Sequence, residues 1–465
     1  MSRSPGQRLA ILASAGMLQL AAWAWIRSLG DLSLHMDGLW LALVPMLVGY
    51  GLAAWLLLVE GGSIAYAMRI ICAVAVCSRL LLLDTTPSLS DDIYRYVWDA
   101  HVQAAGLNPY ARAPDDDALI GLRTEDWSKI NHKELVTVYP PVAQWFFLAV
   151  QRFVPGVTGM KGALVLCDLL LFFVLWRWLL ARGQDGRRLL LYAWHPLPVL
   201  EIAGNGHVDI LGVLGLCVAL LWLHQGRHHA ATWALSAAVL SKLIPILCAA
   251  AFWQHLGGTH SGSWQRALDP RPRVVLLWIP GLVLAAYLLF ADAGAPMWTG
   301  LSAYASKWRF NDSAFGLVYT LISDPKPGWE WDDGALRSAR WLCLAAVAVV
   351  MTTLALRRKA DPAALCATVL GMQLLLAPTV HPWYLLWVLP FTALHASSAW
   401  MAFSWLVLLA YHVLGDFRST GVWHESSWIR GLEYLPVYLL LAGAPLWRRL
   451  QSARRNTSAT AASAE

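Results

Sequence analysis

Asp91 and Asp92 stand side by side in SLSDDIYRYVWDAHVQAAGLNPY, residues 88–110, in a chain of which only 14% is charged. A carboxylate at the edge of an apolar segment is suited to general-base chemistry, taking the proton of a hydroxyl as its oxygen attacks. The same pair has a bland reading. Ser90 is an N-cap candidate, and acids just after it suit the positive end of a helix dipole. Helical spacing puts Asp92, Arg95 and Asp99 on one face, at i, i+3 and i+7, where Arg95 can hold a carboxylate ionised or meet a phosphate. Two adjacent acids can also ligate Mg or Mn through their oxygens, but two ligands alone are a weak metal signal, and a cation is not the favoured reading.

Four further segments interrupt apolar runs with groups that a bilayer makes expensive. GNGHVD, Gly204–Asp209, carries Asn205, His207 and Asp209; SKLIP carries Lys242; PTVHPWY sets His381 between prolines; AYASKWRFNDSAF places Lys307 and Arg309 among Tyr304, Trp308 and Phe310. Basic groups among aromatics suit a phosphate with rings covering a sugar's apolar faces. Each segment alone has an ordinary alternative: a satisfied loop histidine, a snorkelling lysine or an interfacial aromatic anchor.

The elements that must position these residues are set by composition. Of 465 residues 58% are hydrophobic and only 14% charged, against about 25% charged in soluble domains. The apolar residues form blocks such as Ile11–Ile26, Leu39–Val59, Gly162–Leu180, Val208–Leu223, Val274–Phe290 and Trp341–Leu356, each near the roughly 20 residues of a spanning helix. No porin-like alternation is present, so the expected fold is all-α: a polytopic transmembrane bundle of about 11–13 spans. The count is open at 140–153, too short for a full crossing, and at 230–253, interrupted by Lys242 and Pro245. The first apolar run has no small-residue cleavage site and is expected to be retained as a span.

Basic clusters at Arg3/Arg8, Arg182/Arg187/Arg188, Arg266/Arg271/Arg273, Arg357/Arg358/Lys359 and Arg448/Arg449/Arg454/Arg455 mark the cytoplasmic side and place both termini there. The intervening acidic and aromatic loops then face outward, which in a bacterial inner membrane is the periplasm. The longest, 84–139, has ten acids against five bases and should carry a short amphipathic helix from near Ser90 to Gly106, stopped by Asn108–Pro109. Residues 1–450 read as one membrane domain and 451–465 as a disordered cytoplasmic tail. The net charge of +6 lies at span ends and does not argue for nucleic acid. All seven cysteines lie in apolar segments with no CxxC pair, so no disulfide or metal site is expected.

Taken together, DDIYRYVWDAHVQAAGLNPY, YPPVAQ, GNGHVD, KWRFNDSAF and PTVHPWYLLWVLP, spread over residues 88–390, resemble the GT-C superfamily of integral membrane glycosyltransferases. The similarity is greatest to bacterial polyprenol-phosphate-mannose-dependent mannosyltransferases. The resemblance implies an inverting transfer of a hexose, mannose first, from a polyprenyl-phosphate donor to a glycan or glycolipid acceptor on the outer face. It further implies Asp91 as the base with Asp92 as its partner, and no required cofactor. A departing phosphate needs positive charge, for which Arg95, Lys307, Arg309 and His381 are candidates. Tyr94, Asn205, His207, Trp308, Asn311, Trp383 and Tyr384 are expected to contact sugar or acceptor. The chain departs from some relatives in having Asp-Asp rather than Asp-Glu and in lacking a large C-terminal periplasmic domain. The alternative is a lipid-linked-sugar flippase, which would also use broken helices.

Overall fold

The computed structural model describes residues 3–62, 64, 66–257, 268–324, 332–356 and 360–443. The tail 451–465, the cluster Arg357–Lys359, Arg266 and the four C-terminal arginines lie outside the described residues. Among the described residues the chain is helical, with no strand and one isolated parallel bridge, Phe310 to Thr379.

Six helical segments are long and apolar enough to cross a membrane: Pro5–Leu29, Met36–Glu60, Val157–Ala181, Arg271–Leu288, Asp333–Leu356 and Ser398–Thr420. Together they make this a polytopic membrane protein. We label the helices used below α1 (Pro5–Leu29), α2 (Met36–Ala54), α3 (Ala67–Leu83), α4 (Asp92–Ala104), α5 (Pro141–Phe153), α6 (Val157–Ala181), α7 (Asp209–His224), α8 (His228–Ser241), α9 (Ala249–Leu256), α10 (Trp278–Leu288), α11 (Thr299–Lys307), α12 (Ala314–Ile322), α13 (Asp333–Leu356) and α14 (Pro362–Leu376). Asp209–His224, Ile244–Leu256 and Pro362–Leu376 are apolar but shorter, so the sequence count of 11–13 includes segments that the structure shortens or breaks.

The breaks have local causes. The 230–253 run is two pieces: α8 stops where Lys242 adopts extended backbone (φ −158, ψ 139), and a 3-10 turn, Ile244–Cys248, with Pro245 in its first turn leads into α9. The 140–153 run is the 13-residue α5, which starts on Pro141 and packs along α4 with Gln144 and Phe147 buried; at about 1.5 Å per residue it is too short to cross.

Inside the bundle Arg79 of α3 and Asp168 of α6 form a fully buried ion pair, Nε to Oδ2 2.8 Å. Arg79 Nη1 also donates to Ala193 O (2.6 Å), and Tyr192 OH donates to Asp168 Oδ1 (2.6 Å). These bonds meet most of the pair's polar groups, as a charge pair in hydrocarbon requires; Arg79 Nη2 has no hydrogen-bond partner among the described residues, and the guanidinium lies 4.8 Å from the Phe172 ring centroid.

The 84–139 loop is built around α4, followed by two 3-10 turns, Asp117–Leu122 and Glu125–Lys129. α4 ends as its sequence predicts: Leu107 N–H donates to Val102 O (3.1 Å) and Gly106 N–H to Gln103 O (2.9 Å), with Gly106 at φ +79. That is a Schellman closure, which needs a residue at home in the left-handed region. The loop is anchored back by Tyr110 OH donating to Tyr139 O (2.6 Å) and by Asn108 Nδ2 donating to Phe290 O (3.0 Å) and Asp292 Oδ1 (2.7 Å).

Candidate active site

α4 starts one residue later than Ser90 suggested. Asp91 is its N-cap, yet the Asp91 side chain makes no capping bond; the Ser90 hydroxyl accepts Asp92 N–H instead (3.3 Å). The serine thereby frees the acids from capping. Asp91 Oδ1 accepts from Asn131 Nδ2 at 2.5 Å, and both carboxylates line a cavity of about 1280 Å³. Burial raises the affinity of Asp91 for a proton, opposed by the Asn131 amide and the charges of His132 and Lys133. Asp92 is pushed up to about 7, by burial first and then by the negative charge of Asp91.

The cavity's inner end is polar. Lys242, exposed by the break after α8, pairs with Asp209 (Nζ to Oδ2 2.8 Å), whose other oxygen accepts from Trp387 Nε1 (2.8 Å). Lys242 Nζ lies 5.3 Å from the Tyr384 ring centroid, and the Tyr384 and Tyr304 hydroxyls are hydrogen-bonded to each other.

Two distant motifs meet through backbone. Phe310 N–H donates to Pro378 O (3.0 Å) and Val380 N–H to Phe310 O (2.9 Å). This joins KWRFND to PTVHPWY and aligns a column of rings. His207 stacks on Trp383 (3.8 Å, 15°), Trp383 on His381 (4.2 Å, 3°) and His381 on Phe310 (4.9 Å, 29°).

Of the residues singled out in the sequence, Asp91, Asp92, Tyr94, Arg95, Trp308, Arg309, His381, Trp383 and Tyr384 line the one cavity, as does Lys242. Arg95 does so while paired to Asp99 (2.9 Å, both buried), and Arg309 while bonded to Asp312 with its guanidinium 4.5 Å from the Tyr319 ring centroid. The shared face is thus used between Arg95 and Asp99, one turn apart, and no ion pair joins Arg95 to Asp92 among the described residues. Four residues lie outside the cavity lining. Lys307 is exposed at the end of α11. Asn311, at φ +49, donates from Nδ2 to Glu433 Oε2 (2.8 Å) and so ties its loop to the helix at 427–443. Asn205 and His207 are buried behind the acidic pair: Asn205 Oδ1 accepts from Leu89 N–H (3.2 Å), and His207 Nδ1 is 3.8 Å from Asp92 Oδ2. Neither lines the cavity.

Sequence reasoning missed Arg340, Asn131, Glu201 and Tyr411. Arg340 sits at the head of an apolar block on α13 and lines the cavity. Its Nη1 and Nη2 donate to Ala305 O and Trp308 O (the latter 2.8 Å), its Nε has no acceptor among the described residues, and no described carboxylate is within 4.0 Å. Further along the same helix face Cys343, Leu344 and Val347 also line the cavity, facing Leu370, Gln373 and Leu374 of α14. An arginine at i with apolar residues at i+3, i+4 and i+7 was a readable pattern. Among the described residues no group of three His, Cys, Asp or Glu side chains is arranged to hold a metal.

The sequence profile of the alpha-(1->6)-mannopyranosyltransferase N-terminal domain matches residues 6–257, and that of the MptB C-terminal domain matches residues 330–422. No curated protein and no solved structure is significantly similar to the chain. The first profile alone spans more than half of the sequence, and the cavity is walled by residues from both matched regions; the chain is therefore a membrane-embedded mannosyltransferase belonging to the alpha-(1->6)-mannopyranosyltransferase family.

Proposed function

We propose that the protein transfers mannose from a polyprenyl-phosphate carrier to a glycan or glycolipid hydroxyl, with Asp91 as general base. The observation that carries this reading is that one cavity joins the acidic pair, an arginine with no carboxylate partner among the described residues, and an apolar wall. A nucleotide-sugar site has no use for the wall, and a soluble acceptor alone would not need it. On this reading the isoprenoid chain lies between α13 and α14 against Leu344, Val347, Leu370 and Leu374. The phosphate meets Arg340, with Arg309 and His381 nearby.

The sugar then lies towards Asp91 over Tyr94, Trp308, Trp383 and Tyr384. The acceptor oxygen attacks the anomeric carbon from the face opposite the phosphate as its proton passes to Asp91 and the bond to the phosphate breaks, which inverts the carbon. The negative charge growing on the phosphate is met by the Arg340 guanidinium, already held in place by the Ala305 and Trp308 carbonyls. A phosphate is a competent leaving group under these conditions, so no divalent cation or other cofactor enters the scheme. Asp91 is favoured as the base because its carboxylate lines the cavity and is oriented by Asn131.

The charge pattern of the loops supports a site on the periplasmic face of a bacterial inner membrane, with both termini cytoplasmic. The purified protein in detergent or nanodiscs, given labelled mannosyl-phosphoryl polyprenol and candidate acceptors, is expected to form a labelled product in the presence of a chelator. Transfer from a nucleoside diphosphate mannose and none from the lipid donor would overturn the donor assignment. Movement of the lipid across vesicles without any transfer would favour the flippase.

A further inference from the structure

We infer that Asp92 is held as a neutral carboxylic acid by a buried His207–Glu201 pair behind it, so that Asp91 alone carries the charge of the acidic pair. This rests on the reading of Asp91 as the base and answers what its neighbour does.

Three elements converge to make the arrangement. Glu201 lies in a π-helical turn, Val199–Gly204, and is fully buried; such turns recur at functional sites because they re-aim a side chain. Its two oxygens accept from Tyr411 OH at 2.8 and 2.9 Å, and Oε2 also accepts from Asn205 Nδ2 at 3.4 Å. Glu201 therefore acts as an acceptor here, and His207 Nε2 lies 3.4 Å from Oε2, near enough to favour the tautomer with the proton on Nε2 although the two are not aligned as a hydrogen bond in this structure. That choice of tautomer leaves the Nδ1 lone pair facing Asp92 Oδ2 across 3.8 Å. Neither imidazole nitrogen has a hydrogen-bond partner among the described residues, and a proton on Asp92 is the donor that would suit the Nδ1 lone pair. A small approach of the two on substrate binding would close the gap to a hydrogen bond, as catalytic contacts commonly tighten on binding.

The imidazole is not free to drift. Trp383 stacks on its face, and Gly206 before it, at φ +78, sits so close to α4 that a Cβ would lie 2.3 Å from Ile93 Cδ1. Asn205 grips Leu89 N–H on the other side of the acidic pair. GNGHVD is thus a bracket fitted to residues 89–93. The other charged groups facing these residues fit the assignment. Lys242 would favour an ionised Asp92, but it is already matched by Asp209 at 2.8 Å. Burial and the charge of Asp91 both favour a protonated one. His381 is kept from His207 by the Trp383 ring. Of two adjacent carboxylates in one half-buried site, one keeps its proton; the bracket decides which.

The first test reads protonation without turnover. The infrared difference spectrum of wild type minus Asp92→Asn, at about pH 6, is expected to show the carbonyl band of a protonated carboxyl group lost in the variant. A band at the carboxylate position would overturn the inference.

The second test uses His207→Phe, which keeps the ring stack and removes both nitrogens. Asp92 then ionises in the working range, its charge raises the proton affinity of Asp91, and the acid limb of turnover moves up by about one pH unit. Adding Asp92→Asn to that variant returns the limb to its wild-type position, a rescue that a merely damaged fold would not give. An unmoved limb, or no rescue, overturns the inference. Asp92→Asn alone lowers turnover about tenfold or less, against the 10²–10⁴-fold loss expected from removing a base; equal losses would also overturn it. A wild-type protein that shows the infrared band but no transfer from the lipid donor would refute the proposed function and leave the protonation of Asp92 standing.

Discussion

Replacing Arg340 with Gln tests the phosphate end of the cavity. A guanidinium has five N–H donors. Two backbone carbonyls, Ala305 O and Trp308 O, hold Arg340 through Nη1 and Nη2, leaving Nε and the remaining donors without a described protein acceptor. The charge is thus fixed in place before any ligand arrives. A hydrogen bond to a charged group contributes about 1.5–3 kcal/mol, so losing one to the phosphate should lower kcat/KM for the lipid donor about 10- to 150-fold. The acceptor KM should be unchanged, as should retention of the fold in detergent. Arg340→Lys keeps the charge but not the planar fork that grips both carbonyls, and should recover only part of the loss. The assay is initial-rate transfer at varied donor with acceptor saturating. A well-folded Arg340→Gln enzyme with wild-type kcat/KM for the donor would refute the assignment, and with it the course of the isoprenoid between α13 and α14.

Asp91→Asn should reduce turnover by about 10²–10⁴-fold with donor KM little changed, measured in the same assay. In the wild type, because burial raises the proton affinity of Asp91, turnover should fall as pH drops through a range above that of an ordinary aspartate, and a profile flat to about pH 4 would contradict this. Gly206→Ala places a side chain at φ +78 and 2.3 Å from Ile93 Cδ1; strain of about 1–3 kcal/mol should lower the midpoint of thermal unfolding in detergent and reduce turnover with it. Asp168→Asn leaves Arg79 buried without its counter-charge and should destabilise by about 3–5 kcal/mol, read as lost monodispersity or a lower unfolding midpoint.

What was legible in the sequence was local. The length of the apolar blocks gave a membrane bundle, and Gly106 with Asn108–Pro109 gave the end of α4. The polar interruptions gave most of the cavity wall, because charged side chains in a bilayer protein are retained where they meet one another or a cavity. Ser90 was read correctly as a hydrogen-bond acceptor for the helix start, although Asp91 occupies the cap position. The misplacements come from contacts set by the tertiary fold. Nothing near Asn131 indicates that it reaches back 40 residues to Asp91. Lys307 was read with Arg309 as a phosphate contact and Asn311 as a sugar or acceptor contact, but Lys307 is exposed at the end of α11 and Asn311, with left-handed backbone, donates to Glu433. His207 and Asn205 looked like sugar contacts because polar groups between spans are usually at a surface; the π-helical turn before them draws both behind the cavity.

The ring column His207–Trp383–His381–Phe310 has a consequence for how the enzyme is made. Its first member belongs to the first matched region and its middle members to the second, some 175 residues later in synthesis. A nascent chain that has inserted only its first half already carries both acids, but not the wall against which a sugar would rest. The column closes only when the late segment docks, so catalytic competence is conferred in one step at the end of assembly. A chain truncated before the second matched region is therefore expected to be inactive, and co-expression of the two halves as separate polypeptides should restore transfer only where they associate.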